Sequence, residues 1–395
     1  MADAAGEGAR GIMLDFARLT GLDPPTERPV RYLWTDAFAV CNYLGLFREF
    51  QDRGFLDLGL RLVDQVHHTL GRHRGDDPRK GWISGLGEGE GEVHPTIGGL
   101  RIGKKLPERR RDEPASERLE WDQDGQYFHY LTKWMHALSQ TGRATGDPRF
   151  LRWAMELAKT AHARFTSTPR SGGQKRMYWK MSIDLSYPLV TSMGQHDPLD
   201  GLVTYCELRL AARRTPAPSP MPDLGAEIAE MAGICRGMEL ATDDPLGTGG
   251  LLADALGIAR IMAGGGPGFA GASGAEPDLP ALLGDVLSAA LFGLDAFADS
   301  GCQDLPADFR LAFRELGLSI GLSAVGDLIR ILEGATDGSL RVQAEALLPF
   351  VPLGEAITRF WSDGNPQGSG SWREHREINM VMLATGLAPG GFLGI

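Results

Sequence analysis

Two stretches of this chain repeat each other in register. Phe55-Leu56 matches Phe150-Leu151, and Leu62, His67 and Leu70 match Leu157, His162 and Phe165 at the same offset. Both stretches place apolar residues at three- and four-residue steps, the period of an amphipathic helix. Each follows another such stripe: Trp34, Ala37, Phe38, Cys41, Leu44 and Phe47 before the first, Tyr127, Leu131, Trp134 and Leu138 before the second. Each is followed by a glycine-rich loop that carries a tryptophan, Trp82 in one and Trp179 in the other. A pair of helices that recurs in this way is a helical hairpin, and it must stack on its neighbours to bury its apolar face.

The pattern continues to the end of the chain, and no alternating strand of useful length interrupts it. The fold class predicted is all-α, with about twelve helices in about six hairpins. Six hairpins closing into a ring, an (α/α)6 toroid, account for the repeat and the length; a superhelical solenoid is the rival architecture. Residues 30–395 are expected to form a single domain and residues 1–29 an N-terminal extension. Within that extension Met1 to Arg10 should fray, and a short helix from Gly11 to Leu22 should end at Asp23-Pro24-Pro25. The third helix should start near Asp124, the fifth near His196-Asp197, and the last should run from Trp372 to Thr385.

Composition narrows the partners. Hydrophobic residues make up 43% of the chain, enough for a large core, and the formal net charge is -11. That balance argues against nucleic acid or an anionic membrane surface as the main partner. The basic clusters Lys104-Lys105 and Arg109-Arg110-Arg111 lie among prolines and acids and read as a solvated loop. Cys41, Cys206, Cys235 and Cys302 have no Cys-x-x-Cys spacing, so buried reduced thiols are expected rather than a zinc site. No signal peptide and no membrane span are expected, which places the protein in the cytoplasm.

Helices of a stacked hairpin series alternate direction, so connections of one parity lie at one end. The two long loops Gly71–Glu120 and Thr166–Gln195 therefore belong on one rim. Long loops over a rigid scaffold are where binding sites usually lie. The carboxylates at that rim are Asp36, Asp122, Asp124, Asp184 and Asp197. Glycoside hydrolysis uses two carboxyl groups flanking the scissile bond, one kept protonated and one ionised. Asp124 and Asp184 lead as that pair, with Asp36, Asp122 and His196 as further catalytic candidates. Trp34, Trp82, His94, Tyr127, His129, Trp179 and Tyr187 are the expected substrate contacts, joined by Trp372 and His375 after a Gly/Ser loop. A plainer reading stands beside this one: Asp124, Asp147 and Asp197 as helix N-caps, Asp36 as a brace, His129 and His136 as core or lining.

Three segments carry a resemblance. Trp34-Thr35-Asp36-Ala37-Phe38 resembles the Trp-x-Asp-x-Phe helix entry of unsaturated glucuronyl hydrolase relatives. Thr145-Gly146-Asp147-Pro148-Arg149-Phe150-Leu151 resembles the outer helix of such hairpins, and Gln195-His196-Asp197-Pro198-Leu199-Asp200-Gly201 an inner-helix start. On these the chain resembles the six-hairpin glycosidase-like superfamily, over most of residues 30–390 as architecture. The resemblance implies a carbohydrate or other small-molecule substrate. Members include inverting glycosidases, sugar epimerases of the N-acylglucosamine epimerase type and polysaccharide lyases.

The leading expectation is a glycoside hydrolase working with a carboxylate pair. The alternatives are a sugar epimerase or isomerase with histidine bases (His129, His196 and His375 would then converge), a lyase, and a non-catalytic helical scaffold. No cofactor and no metal are expected. Glu88, Glu90 and Glu92 alternate with glycine and suit an acidic lid or, less well, a calcium loop. Gly264-Gly265-Gly266-Pro267-Gly268 fits no nucleotide fingerprint. Gly317-Leu318-Ser319-Ile320-Gly321 matches the letters of a nucleophile elbow inside a helical pattern, where no strand can make the strained turn.

Overall fold

The chain is all-α. Helices carry it throughout, and among the described residues the five strands are two or three residues long and confined to loops. This computed structural model describes residues 2–169, 172–265, 277–334 and 338–394. Contacts gather the chain into two units: Ala17–Phe47 with Gln51–Arg236, and Met1–Phe16 with Arg48–Phe50 and Gly237–Ile395.

The N-terminal stretch corrects an expectation. Helix α1 (Ala2–Leu19) is continuous through the residues expected to fray. Ala9, Met13 and Phe16 form a buried stripe along it, and that burial holds the helix.

The unit around Gln51–Arg236 contains the repeat. Helices α2 (Leu33–Phe50) and α3 (Arg53–Leu70) form one hairpin. After two short helices, α4 (Glu88–Val93) and α5 (Glu117–Glu120), come α6 (Phe128–Thr145) and α7 (Pro148–Phe165). Helices α8 (Asp197–Arg214) and α9 (Gly225–Cys235) complete it. The repeat extends to the turns. Gln51 and Gly146 both cap a helix in the left-handed region, at φ 53° and 70°. The next residues, Asp52 and Asp147, are N-caps that accept the N–H groups of Gly54 at 2.8 Å and Arg149 at 2.9 Å. His67 and His162 are buried at matched positions. Trp134 Nε1 donates to His67 Nε2 at 3.2 Å, and burial pulls the His67 pKa down to about 3. Helices α2 and α8 are buried on nearly all sides, whereas α3 and α7 keep one wet face.

The two long loops interlock. Strand β1 (Gln126–Tyr127) pairs antiparallel with β4 (Lys180–Met181), Gln126 opposite Met181, and β4 pairs with β5 (Pro188–Val190). Strands β2 (Thr166–Ser167) and β3 (Arg176–Met177) pair beside them. This pairing moves the start of α6 from the expected Asp124 to Phe128: Gln126 and Tyr127 are drawn into the sheet. The Glu-Gly repeat forms α4. Glu88 ion-pairs with Arg72, and Glu92 with His68 at 2.8 Å, which holds α4 onto α3.

The other unit holds α10 (Pro245–Gly265), α11 (Leu279–Asp299), α12 (Ala312–Leu322), α13 (Val325–Leu332), α14 (Gly338–Glu345) and α15 (Val351–Ser362). It ends with α16 (Gly364–Gln367), α17 (Gly370–Glu374), α18 (Arg376–Leu387) and α19 (Gly390–Leu393). The single helix expected over Trp372–Thr385 is broken at His375. Gly317 to Gly321 lies inside α12, against α10. A Cβ on Gly249 of α10 would come within 2.1 Å of the Gly317 carbonyl oxygen, so these glycines serve close helix approach. Of the glycine run, Gly264 and Gly265 end α10, and Gly266-Pro267-Gly268 lies outside the described residues. Pro245–Gly264 and α11 are long and apolar enough to cross a membrane, a property the sequence was not expected to show. By contact α10 is a core helix, packed on α11, α12 and α13.

Candidate functional site

The carboxylate expected to lead is sealed. Asp124 is fully buried. Its Oδ2 accepts from Arg101 Nη1 at 2.5 Å and Arg74 Nη1 at 3.4 Å. Its Oδ1 accepts the N–H groups of Gly103 at 3.0 Å, Gly125 at 3.1 Å and Lys104 at 3.3 Å. Five donors fill both oxygens, so none is left for a substrate or for a proton. Asp124 is neither a helix cap nor an exposed acid: it is the clamp that fixes the loop before α6.

Asp184 is also engaged. Its Oδ1 accepts from Ser186 Oγ at 2.6 Å, Ser182 Oγ at 2.8 Å and the Ser186 N–H at 3.1 Å, and Arg79 Nη1 reaches Oδ2 at 2.9 Å. Burial pushes its pKa up, but the two serine hydroxyls, the Ser186 N–H and Arg79 outweigh it and hold the carboxyl below its ordinary range. Such a group is a poor proton donor and a poor base at neutral pH. Arg79 also pairs with Asp77 at 2.7 Å and Glu108 at 2.5 Å, so Asp184 is one arm of a latch between the two loops. Lys180 makes a second latch. Fully buried, it donates to the Glu120 and Gln123 carbonyls at 2.6 and 2.8 Å and pairs with Glu120 Oε1 at 3.0 Å. Arg109, expected in a solvated loop, joins Glu120 at 3.0 Å and the Leu189 carbonyl at 2.8 Å.

Of the other candidates, several lie in contacts that hold the fold. Asp36 is buried, paired with Arg31 at 3.2 Å and bonded by the Tyr32 N–H at 2.9 Å. Burial raises its pKa to about 6 against the pull of Arg31 and that N–H. Trp82 is a buried wedge between α3 and α4, with Arg72 over its ring at 4.5 Å. His94 ties the loop to α7 through Glu156 at 2.9 Å. The Tyr187 hydroxyl donates to the Arg109 carbonyl at 2.8 Å. Trp372 belongs to the other unit, where it stacks on Trp361 at 5.7 Å, and His375 there meets Phe313 edge-on at 5.4 Å. Asp122 is exposed. His196, half-buried, is the N-cap residue of α8 in place of Asp197.

The remaining candidates converge with residues the sequence did not single out. His129 stacks on Tyr127 at 5.3 Å and 27°, and lies parallel to Trp179 at 6.5 Å and 14°. Tyr130 meets it edge-on at 4.8 Å. Trp179 continues outward to Trp121, 5.2 Å away and half exposed. Trp34 lies 6.4 Å from Tyr130, and the Tyr32 hydroxyl is 2.6 Å from the Tyr130 hydroxyl. One turn of sequence thus supplies a wall of rings: Tyr127 from β1, His129 and Tyr130 from the first turn of α6.

Helix α8 brings the acid. His129 Nδ1 lies 3.4 Å from Asp197 Oδ1, with 30% of the imidazole and 8% of the carboxylate exposed. Nδ1 and Asp197 Oδ2 are both buried without a hydrogen-bond partner. Two buried polar atoms without partners, one on each side of this pair and set among aromatic rings, are costly and need a reason. Below it the same two helices pair Lys133 with Asp200 at 2.7 Å, and His136 with Glu207 at 3.7 Å. Burial pulls the His136 pKa down, but the Cys41 thiol and Glu207 carry it up to about 10. Thr132 Oγ1 donates to Asp200 as well, at 2.5 Å. Asp197 was read as a rim carboxylate or a cap; with Asp200 it sets acids at i and i+3 of α8 against His129 and Lys133 at i and i+4 of α6, a match visible only once the helices are placed together.

No family model matches the chain, and no curated protein matches it in sequence. Solved structures do resemble it. The cellobiose 2-epimerase of Spirochaeta thermophila DSM 6192 is 14% identical, with a TM-score of 0.46 over 90% of this chain and 86% of that one. The cellobiose 2-epimerase of Bacillus thermoamylovorans B4167 is 9% identical, with a TM-score of 0.42 over 82% and 76%. A sugar epimerase from a ruminal bacterium is 10% identical, with a TM-score of 0.42 over 82% and 75%.

Proposed function

We propose that the chain is a carbohydrate-active enzyme that moves a proton at a sugar carbon, an epimerase or isomerase, with His129 as its base. The observation that carries this reading is the His129–Asp197 pair set among stacked rings. Rings of this kind offer apolar faces for the C–H faces of a sugar. With the Asp197 carboxylate 3.4 Å from Nδ1, a proton on that nitrogen is favoured electrostatically, which leaves Nε2 as the basic nitrogen. The carbon next to a sugar carbonyl is the acidic one. Removing its proton breaks the C–H bond, moves that pair into a C=C bond and the carbonyl pair onto oxygen. Returning the proton to the other face of that carbon re-forms the carbonyl and inverts the centre; delivering it to the former carbonyl carbon, while the hydroxyl proton of the deprotonated carbon passes to the oxyanion and a carbonyl forms there, isomerises the sugar.

A hydrolase working through Asp124 and Asp184 is disfavoured by their saturation. The test is incubation in heavy water with glucose, mannose, N-acetylglucosamine and cellobiose, followed by NMR. The expected result is deuterium at the carbon beside the carbonyl of at least one reducing sugar. Cleavage of cellobiose with no deuterium in any of the four sugars would contradict the reading.

A further inference from the structure

Proton abstraction beside a carbonyl leaves a negative oxygen, and a base alone does not stabilise it. The site needs a neutral hydrogen-bond donor at that oxygen, held in place before the charge appears. The Tyr32 and Tyr130 hydroxyls, 2.6 Å apart, form a pair that His129 does not use. In such a pair one phenol proton lies between the oxygens and the other is free to point away. Both rings border the imidazole cluster: Tyr130 lies 4.8 Å from His129, 5.2 Å from Tyr127 and 5.5 Å from Tyr32. Burial raises the Tyr32 pKa to about 12, with Tyr130 lowering and Asp124 raising it, and lifts that of Tyr130 well above the ordinary value. Both phenols therefore stay protonated at neutral pH, as donors must.

Behind Tyr32 stands a cation. Lys104 Nζ lies over the Tyr32 ring at 5.3 Å. The other charges that act on this ammonium are Asp122, Lys180 and Asp124, and Asp124 is already neutralised by Arg101 and Arg74. A positive charge at the ring face strengthens the acidity of the phenol it covers, and through the shared hydrogen bond that of its partner.

We propose that Tyr32 and Tyr130, backed by Lys104, supply the oxyanion donor of the site: a neutral phenol that hydrogen-bonds the sugar oxygen on which charge develops. The proposal rests on the proton-transfer reading above. It assigns bond-making to no new group. His129 takes the proton, the electron pair settles on oxygen, and the phenol keeps its own proton while it donates.

The experiment compares Tyr130→Phe, Tyr32→Phe and Lys104→Met with the unmutated protein, reading deuterium exchange from heavy water into the same four sugars. Loss of the phenol that faces the oxyanion lowers the exchange kcat by about 10²-fold with KM nearly unchanged. Loss of its partner or of Lys104 lowers kcat less. An aldonohydroxamate, whose planar oxygens imitate the enediolate, serves as a second probe. It should bind the more affected phenylalanine variant at least tenfold more weakly, while the parent sugar binds both proteins alike. Phenylalanine variants that both exchange at the unmutated rate and bind the hydroxamate as tightly overturn the proposal and leave His129 standing. No exchange by the unmutated protein overturns the proton-transfer reading and this inference with it.

Discussion

Asp124 and Asp197 are two buried acids, one just before α6 and one at the first residue of α8. Asp124 is surrounded by donors: two guanidinium groups and three backbone N–H groups fill its oxygens. Asp197, almost as deeply buried, has one oxygen without a partner and an imidazole nitrogen 3.4 Å from the other. Burial alone does not separate a functional acid from a structural one. Saturation does. A carboxylate whose lone pairs are all taken lowers the energy of the fold and has nothing left to offer a ligand.

The sharpest way to break this contrast is to remove each acid in turn. Asp124→Ala leaves Arg101 and Arg74 facing a buried void, and a pair broken in this way costs about 3–5 kcal/mol. Urea titration should show that loss, with the variant close to its unfolding limit. A cost under 1 kcal/mol would mean that the clamp is ornamental.

His129→Gln makes the opposite prediction. Turnover should fall by about 10²–10⁴-fold, the usual worth of a positioned general base, while the melting temperature stays nearly constant. Asp197→Asn should cost less, about 10²-fold in kcat, because the base remains and only its tautomer is released. Stability should change little in that variant, since the amide removes a buried charge that has one oxygen without a partner.

The smallest effect belongs to Asp184. Its latch with Arg79 is partly exposed, so Asp184→Asn should lower stability by only about 0.5 kcal/mol after solvent screening. Its pH signature is more telling. The folded carboxyl titrates below its unfolded value, so in acid the unfolded chain binds the extra proton. The stabilisation is whole above the unfolded carboxylate pKa, near 4, and is lost as pH falls below it. Melting temperatures from pH 6 to pH 2.5 should fall less steeply for the variant than for the unmutated protein.

The hairpins were legible in the sequence because helical period and matched positions are local. Phe55 and Phe150, His67 and His162, Asp52 and Asp147 recur at one spacing, and the structure places them alike. The meeting of the two long loops was legible too, from parity. The roles of the acids were not. Asp124 looks like a helix-start carboxylate until Arg101 and Arg74 arrive from 23 and 50 residues away. His129 was singled out as a substrate contact and as one of three possible bases, and its partner Asp197 as a rim carboxylate or a cap, but nothing joined the two. Their approach depends on how α6 meets α8, which no local pattern states. Tyr32 and Tyr130, 98 residues apart, are joined only in the folded chain.

One measurement tests the account most directly: deuterium exchange and sugar-induced thermal shift measured side by side for Asp124→Asn and His129→Gln. The account predicts that His129→Gln keeps its melting temperature and its sugar-induced shift but no longer exchanges the sugar proton, while Asp124→Asn melts several degrees lower and exchanges normally whenever it is folded. Exchange that survives in His129→Gln and vanishes in folded Asp124→Asn would contradict it.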